Sequence, residues 1–509
     1  MNATRKHGSG SRRGSALLLS GVLLASGGAL AHGGDGSEAT PEGAELDVER
    51  VLGHLRALQA VADRSDGTRA SGTAGYDRSV DYVVSRLERW GYGVERQPFE
   101  FPFFLEQSPP LVEQLSPVEV VYPPNDPAGV FGLTHSASGD VSGVVQGVDL
   151  LLPPAVEPNA STSGCEPEDF AAFVPGNIAL VQRGTCGFVD KASLAEAAGA
   201  IGVIVFNEGQ PGRTEAIGGT LGAPTVAIPV VGLSFELGAE LAAQLDPVVH
   251  IALDNLSETR ITENVIADTA CGDVEQTIVV GAHLDSVAEG PGINDNGSGV
   301  ATVLEIARQL AAPGCDRCAL ASRVRFAFWG AEELGVLGSE HYVASAAPEE
   351  LARIALNLNF DMLGSPNFVR FVYDGDGSET ELAGPPGSEQ IEAVFADYFA
   401  ARALPIAATA LDGRSDYAPF LDLGIPVGGL FSGAEEVKTD EQAALFGGTA
   451  GVPLDPCYHE ACDTIGDDTS SNISQQALAD LGGAALHAVL TLASRSQPIA
   501  SEPLGPGAP

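Results

Sequence analysis

Apolar positions recur at helical spacing in VERVLGHLRALQAVAD (48–63) and again in VDYVVSRLERWGY (80–92), with the glycine-rich loop GTRASGTAGYDRS between them. Two amphipathic helices followed by a strand, GVERQPFEF, are therefore expected, and a compact body begins near residue 46. From about 136 to 252 the pattern changes to short valine- and isoleucine-rich runs broken by glycine: GDVSGVVQGVDLLL, GNIALVQRG, AIGVIVFN and TVAIPVVGLS. One helical segment, FVDKASLAEAAGA, lies among them, so a β-rich module inserted in a larger fold is expected. Strands and helices then alternate: TIVVGAH, VATVLEIARQLA, RVRFAFW, RIALNLNFDM, a helix over 388–402, IPVGGLF and a last helix over 474–494. Such alternation predicts an α/β fold, a mostly parallel sheet with helices on both faces, whose ligands bind beyond the carboxyl ends of the strands.

The length of 509 residues exceeds what one core usually serves, so at least two domains are expected. The reading divides the chain into a leader (1–31), a linker (32–45), a first part of the main body (46–135), the insert (136–252), a second part of the main body (253–494) and a disordered tail (495–509). The leader places Arg5, Lys6, Arg12 and Arg13 before the apolar run ALLLSGVLLASGGALA, the pattern of a secretory signal peptide cleaved after Ala31. Arg12-Arg13 also opens the twin-arginine route, which Gly14-Ser15 does not favour. No later stretch approaches the 18 or so apolar residues of a membrane span, so the mature protein is expected outside the cytoplasm, extracellular or periplasmic, and free of the membrane.

Without the four basic residues of the leader, 22 basic residues remain against 68 acids, a formal charge of −46. Nucleic acid and anionic membranes are poor partners for such a surface. Some of these acids could bind structural calcium, although no complete EF-hand loop is present. Seven cysteines in an exported chain point to disulfides. Cys457 pairs naturally with Cys462 and Cys165 with Cys186, whereas Cys271, Cys315 and Cys318 cannot all pair with one another. Nothing in the sequence sets an oligomeric state.

The chemistry gathers at predicted strand ends. His283 and Asp285 follow TIVVGA, where a carboxylate can orient a metal-binding imidazole; alone, the pair also fits a core histidine beside a turn. Asp295 lies in GINDNGSG, whose small residues let the backbone approach an ion, as they would in a plain turn. Glu332 and Glu333 come directly after RVRFAFW, where one carboxylate can hold a metal while the other takes a proton. A helix N-terminus would welcome the same acids. Asp361 ends RIALNLNF, and His459 sits in CYHEAC, a loop that a disulfide would stiffen. Two imidazoles and three carboxylates balance two divalent metals and one hydroxide, a donor set that favours zinc with Asp295 shared.

GAHLDSV with GINDNGSG, FWGAEELGVLGS, NFDMLGSP and CYHEACD resemble the motifs of secreted bacterial leucine aminopeptidases. These belong to the co-catalytic di-zinc exopeptidases, which include aminopeptidase Y and glutamate carboxypeptidase. The resemblance covers roughly 46–135 and 253–494. It implies that His283 and Asp361 bind one zinc, Glu333 and His459 the other, and that Asp295 bridges them through a residue followed by a cis peptide. By the same resemblance Asp285 orients His283, Glu332 is the general base, and Tyr458 stabilises the reacting carbonyl oxygen. DGRSDYAPF resembles the substrate-side loop, which makes Arg414 a substrate contact, with Asp361 beside the substrate's amine. The insert resembles a protease-associated domain through GCEPEDF and GNIALVQRGTCGFVDKASLAEAAGAIGVIVFN. The implied activity is removal of N-terminal, apolar residues from peptides. A carboxypeptidase of the same fold, an inactive receptor-like binding protein and a glutaminyl cyclase are the rival readings.

Overall fold

The computed structural model describes residues 45–311, 320–466, 471–495 and 499. The leader, residues 32–44 of the linker, nearly all of the tail, and Cys315 and Cys318 lie outside the described residues.

Fourteen strands join in one sheet. One half of it is built on the parallel neighbours Val427–Phe431, Ile354–Phe360, Asp273–His283 and Ser322–Trp329, in that spatial order. These strands are short apolar runs buried along most of their length, as expected where both faces are covered. One face packs on the helices Val48–Ala62, Ala74–Arg89, Gly297–Leu310, Ser388–Ala400 and Gln475–Ala493, sharing a core with Leu55, Val83, Leu304, Phe395 and Val489. The other packs through Trp329 and Val427 on Tyr342 and Phe420. The α/β expectation holds.

The short strand expected at 93–101 runs instead from Val94 to Ser116 and pairs antiparallel with Val248–Asp268. Prolines 98, 102, 109 and 110 mask it in the sequence. They are tolerated because, apart from two residue pairs with Val120–Val121, this strand is paired on one side only, and Pro109 and Pro110 fall where its register with Val248–Asp268 breaks. The same Val248–Asp268 strand also pairs with Gly139–Gly147 and with Ser322–Trp329, so continuous backbone joins the two halves of the sheet. In the 150–241 region the strands Ile178–Gln182, Gly202–Phe206 and Val230–Leu233 are parallel. A second helix there, Phe235–Ala242, is absent from the sequence reading because Gly238 breaks its apolar period; that glycine lets the helix press on Phe206. The disulfides Cys165–Cys186 and Cys457–Cys462 are both formed, and Cys271 is disulfide-bonded.

His54 is buried between the first two helices, with Nδ1 2.6 Å from the Tyr82 hydroxyl. Burial disfavours the imidazolium and lowers its pKa to about 4. The folded value lies below that of the unfolded chain, so this contribution is complete above pH ~6.5 and is lost as the pH falls towards 4. It amounts to about 3 kcal/mol. In chelated protein, the stability gap between wild type and His54→Gln is therefore expected to narrow by about that much between pH 7 and pH 4. A constant gap in urea unfolding at the two pH values would show that His54 does not titrate in this way.

Candidate metal centre

Every side chain singled out at a strand end comes to the same edge of the sheet. His283 is the last residue of Asp273–His283 and Asp361 follows Ile354–Phe360, the strand beside it. Glu332 and Glu333 follow Ser322–Trp329 on the opposite side. Asp295 precedes the helix Gly297–Leu310, across a cis Asp295–Asn296 peptide. Two glycines make this approach possible: a Cβ on Gly299 would lie 2.1 Å from the Phe360 carbonyl, and one on Gly292, at φ +58, 2.2 Å from the Asp295 carbonyl.

The geometry sorts the donors into two groups. His283 Nε2 is 3.2 Å from Asp295 Oδ1 and 3.2 Å from Asp361 Oδ1. His459 Nε2 is 3.2 Å from Asp295 Oδ2 and 3.0 Å from Glu333 Oε2. Asp295 thus offers one oxygen to each group. Glu332 stands apart, its Oε2 3.9 Å from His283 Nε2. Asp285 Oδ1 is 3.6 Å from His283 Nδ1, beyond hydrogen-bond range, and accepts the Glu332 N–H at 3.3 Å.

Burial pushes the Glu333 carboxyl up to about 8, with the Asp295 charge adding to it, and raises Glu332 well above the carboxylate range. Burial also opposes charge on His283 and His459, but the surrounding carboxylates outweigh it, holding His283 well above its ordinary value and His459 at about 10. Acids and imidazoles therefore compete for protons in a crowded pocket, and divalent cations would relieve that crowding. The orphaned, buried Oε1 of Glu333 and the divided oxygens of Asp295 fit a pair of ions.

Several supporting residues carried no signal of their own. Ser415 Oγ donates to Asp361 Oδ2 at 2.7 Å and accepts from Asn359 Nδ2 at 2.8 Å. Asp463 accepts the N–H groups of Asn294 and Asp295, at 2.9 and 3.0 Å, and its carboxyl is pushed up by burial to about 7. Both lie inside stretches quoted for other letters, DGRSDYAPF and CYHEACD; an acid within a ligand-bearing loop was the only available clue. Elsewhere, Asp374, Asp376 and Glu392 cluster, but the Asp374 oxygens already accept the N–H groups of Ser378, Glu379 and Thr380.

A cavity of about 340 Å³ opens on this centre. Its floor holds Asp295, Glu332, Glu333, Asp361 and His459, while Val336, Met362, Tyr373 and Phe431 give it an apolar side. At its rim Arg414 Nη2 donates to the Tyr458 hydroxyl at 3.4 Å and pairs with Glu435 at 3.1 Å, and the Tyr458 ring stacks on His459.

The model of peptidase family M28 matches residues 264–489, and that of the PA domain matches residues 150–241. An aminopeptidase of Pseudomonas aeruginosa is 46% identical over 435 residues, covering 85% of this chain and 78% of that protein. A Mycobacterium tuberculosis protein named probable lipoprotein aminopeptidase LpqL is 40% identical, with 90% of each chain covered. Among solved structures, an aminopeptidase from Aneurinibacillus sp. strain AM-1 has a TM-score of 0.63 at 25% identity, over 90% of this chain and 97% of that one. The zinc aminopeptidase BSAP of Bacillus subtilis shares the fold, with a TM-score of 0.57 at 24% identity over 88% of this chain and 96% of that one. Relatives that align along most of both lengths, and a family model that spans the strands carrying these acids and imidazoles, settle the kinship: this chain belongs to peptidase family M28 and carries a PA domain ahead of the matched peptidase segment.

Proposed function

We propose that the protein is an exported zinc aminopeptidase that removes N-terminal, apolar residues from peptides, with two zinc ions per chain. The observation that carries the reading is the division of the Asp295 carboxylate between two imidazole–carboxylate groups, with a further carboxylate, Glu332, left outside both. His283 and Asp361 would hold one ion, Glu333 and His459 the other, and Asp295 both. When bound, such ions polarise a carbonyl and lower the pKa of water between them.

The chain's own residues supply the rest. Glu332 accepts the proton of the attacking water and returns it to the leaving amine. Asp285 fixes the Glu332 backbone through its N–H and faces His283, so one carboxylate steadies two working residues. Because Arg414 donates to the Tyr458 oxygen, the phenolic hydrogen stays free to point at the substrate's carbonyl oxygen. Glu332 and Asp361 lie where a free α-ammonium finds negative charge, and Met362, Phe431 and Val336 line the space for an apolar side chain. The names of the P. aeruginosa and AM-1 aminopeptidases and of zinc-dependent BSAP support the activity and the metal. The disulfides and the leader's pattern support export.

Leucine p-nitroanilide is expected to be hydrolysed and its N-acetyl derivative to be nearly inert, because blocking the amine strands buried carboxylates without a charged donor. Comparable turnover of both, or release of C-terminal residues from N-blocked peptides, would overturn the aminopeptidase reading and favour a carboxypeptidase.

A further inference from the structure

Arg69 belongs to the glycine-rich stretch between the first two helices, far in sequence from every acid and imidazole of the centre. Its side chain is fully buried. Nε donates to the Pro291 carbonyl at 2.7 Å, Nη2 to the Gly292 carbonyl at 2.5 Å, and Nη1 to the Leu284 carbonyl. Its backbone N–H donates to Ser286 Oγ at 3.0 Å, and the neighbouring Thr68 hydroxyl donates to the Val287 carbonyl at 2.8 Å. A single guanidinium thus gathers carbonyls from both limbs of the loop that connects His283 to Asp295. Leu284 adjoins the first of these and Gly292 lies three residues before the second.

A planar fork spreads its donors over three nitrogens and so reaches three separated carbonyls in fixed directions; an ammonium directs its donors from a single nitrogen and cannot hold them at that spacing. The loop is shaped to the fork, since a Cβ on Gly292 would come within 3.2 Å of Nη2. Burying a permanent cation against neutral carbonyls is unfavourable unless something repays it. The carboxylates of Asp285, Asp463, Glu333 and Asp295 act on this guanidinium from a distance and favour its charge.

We propose that Arg69 is a positioning residue for the paired metal site: it fixes the spacing of His283 and Asp295 before metal arrives, so that binding need not order the loop. This rests on the zinc reading above. Arg69→Lys keeps the charge and loses the fork. With the full chain, competition against a chromophoric chelator should show zinc affinity lowered about 10- to 100-fold, the usual cost of losing a group that orients metal ligands. The visible absorption of the cobalt-substituted protein should change with it, and excess zinc should bring kcat back towards wild type.

Thermal unfolding separates this role from a merely structural one. The zinc-dependent rise in Tm should be smaller in Arg69→Lys than in wild type; equal losses in apo and zinc-loaded protein, with unchanged affinity, would overturn the proposal. Should the variant fail to fold, hydrogen exchange on chelated wild type decides: the amides of residues 285–295 should already be protected, and free exchange there would also overturn it. Wild type that itself bound fewer than two zincs would instead count against the metal reading, independently of Arg69.

Discussion

Glu332→Gln is expected to keep both zincs and to lose about 100- to 10,000-fold in kcat, the range associated with a missing general base. The amide fills the same volume but cannot take a proton from water. Glu332 lies outside the close contacts of 3.0 to 3.2 Å that define the two donor groups, so metal binding should not depend on it. Burial raises the carboxyl well above its ordinary value, with His283 opposing and Asp361 reinforcing the shift, the kind of perturbed group expected of a base. The neighbouring Glu333→Gln should behave oppositely and lose metal first, since Glu333 Oε2 faces His459 at 3.0 Å. Zinc content by mass spectrometry and turnover of leucine p-nitroanilide measure both. Loss of zinc from Glu332→Gln would exchange the two assignments.

Asp295→Asn should weaken both metal sites together, by more than the roughly 100-fold upper range for residues that only orient ligands. The reason is geometric and electrostatic at once. One Asp295 oxygen lies 3.2 Å from His283 and the other 3.2 Å from His459, so no single-site loss is available to this residue. The amide also removes the negative charge that would lie between the two proposed ions, and places N–H donors where they would need an acceptor. Chelator competition should release two zincs from the variant at concentrations that leave wild type loaded. A variant that retained one zinc at wild-type affinity would refute the shared role.

Much of this centre is legible in the sequence because local rules govern it. An apolar run ended by His283, Asp361 or the Glu332-Glu333 pair announces a strand carrying its polar residues at its carboxyl end, and parallel strands put those ends on one edge. Cys457 and Cys462 are close enough in sequence to pair with little chain to close. Asp463 and Ser415 are harder to see. Their roles consist of bonds to the Asp295 N–H and to Asp361, and nothing in an isolated aspartate or serine distinguishes that use from a turn.

The strand-end donor types, the helix and strand periods and the likeness to a zinc exopeptidase were thus determined by the chain's own order of residues, because side-chain period and local spacing survive without a partner strand. What each donor faces was decided by the sheet. His283 meets Asp361 because Ile354–Phe360 pairs in parallel with Asp273–His283, a choice set by long-range hydrogen bonding. The one-sided pairing that tolerates the prolines of Val94–Ser116 is likewise a property of strand order. Arg69 is the extreme case: its partners are main-chain carbonyls more than 200 residues away, and carbonyls are the same in every residue, so only folding could give that arginine its place.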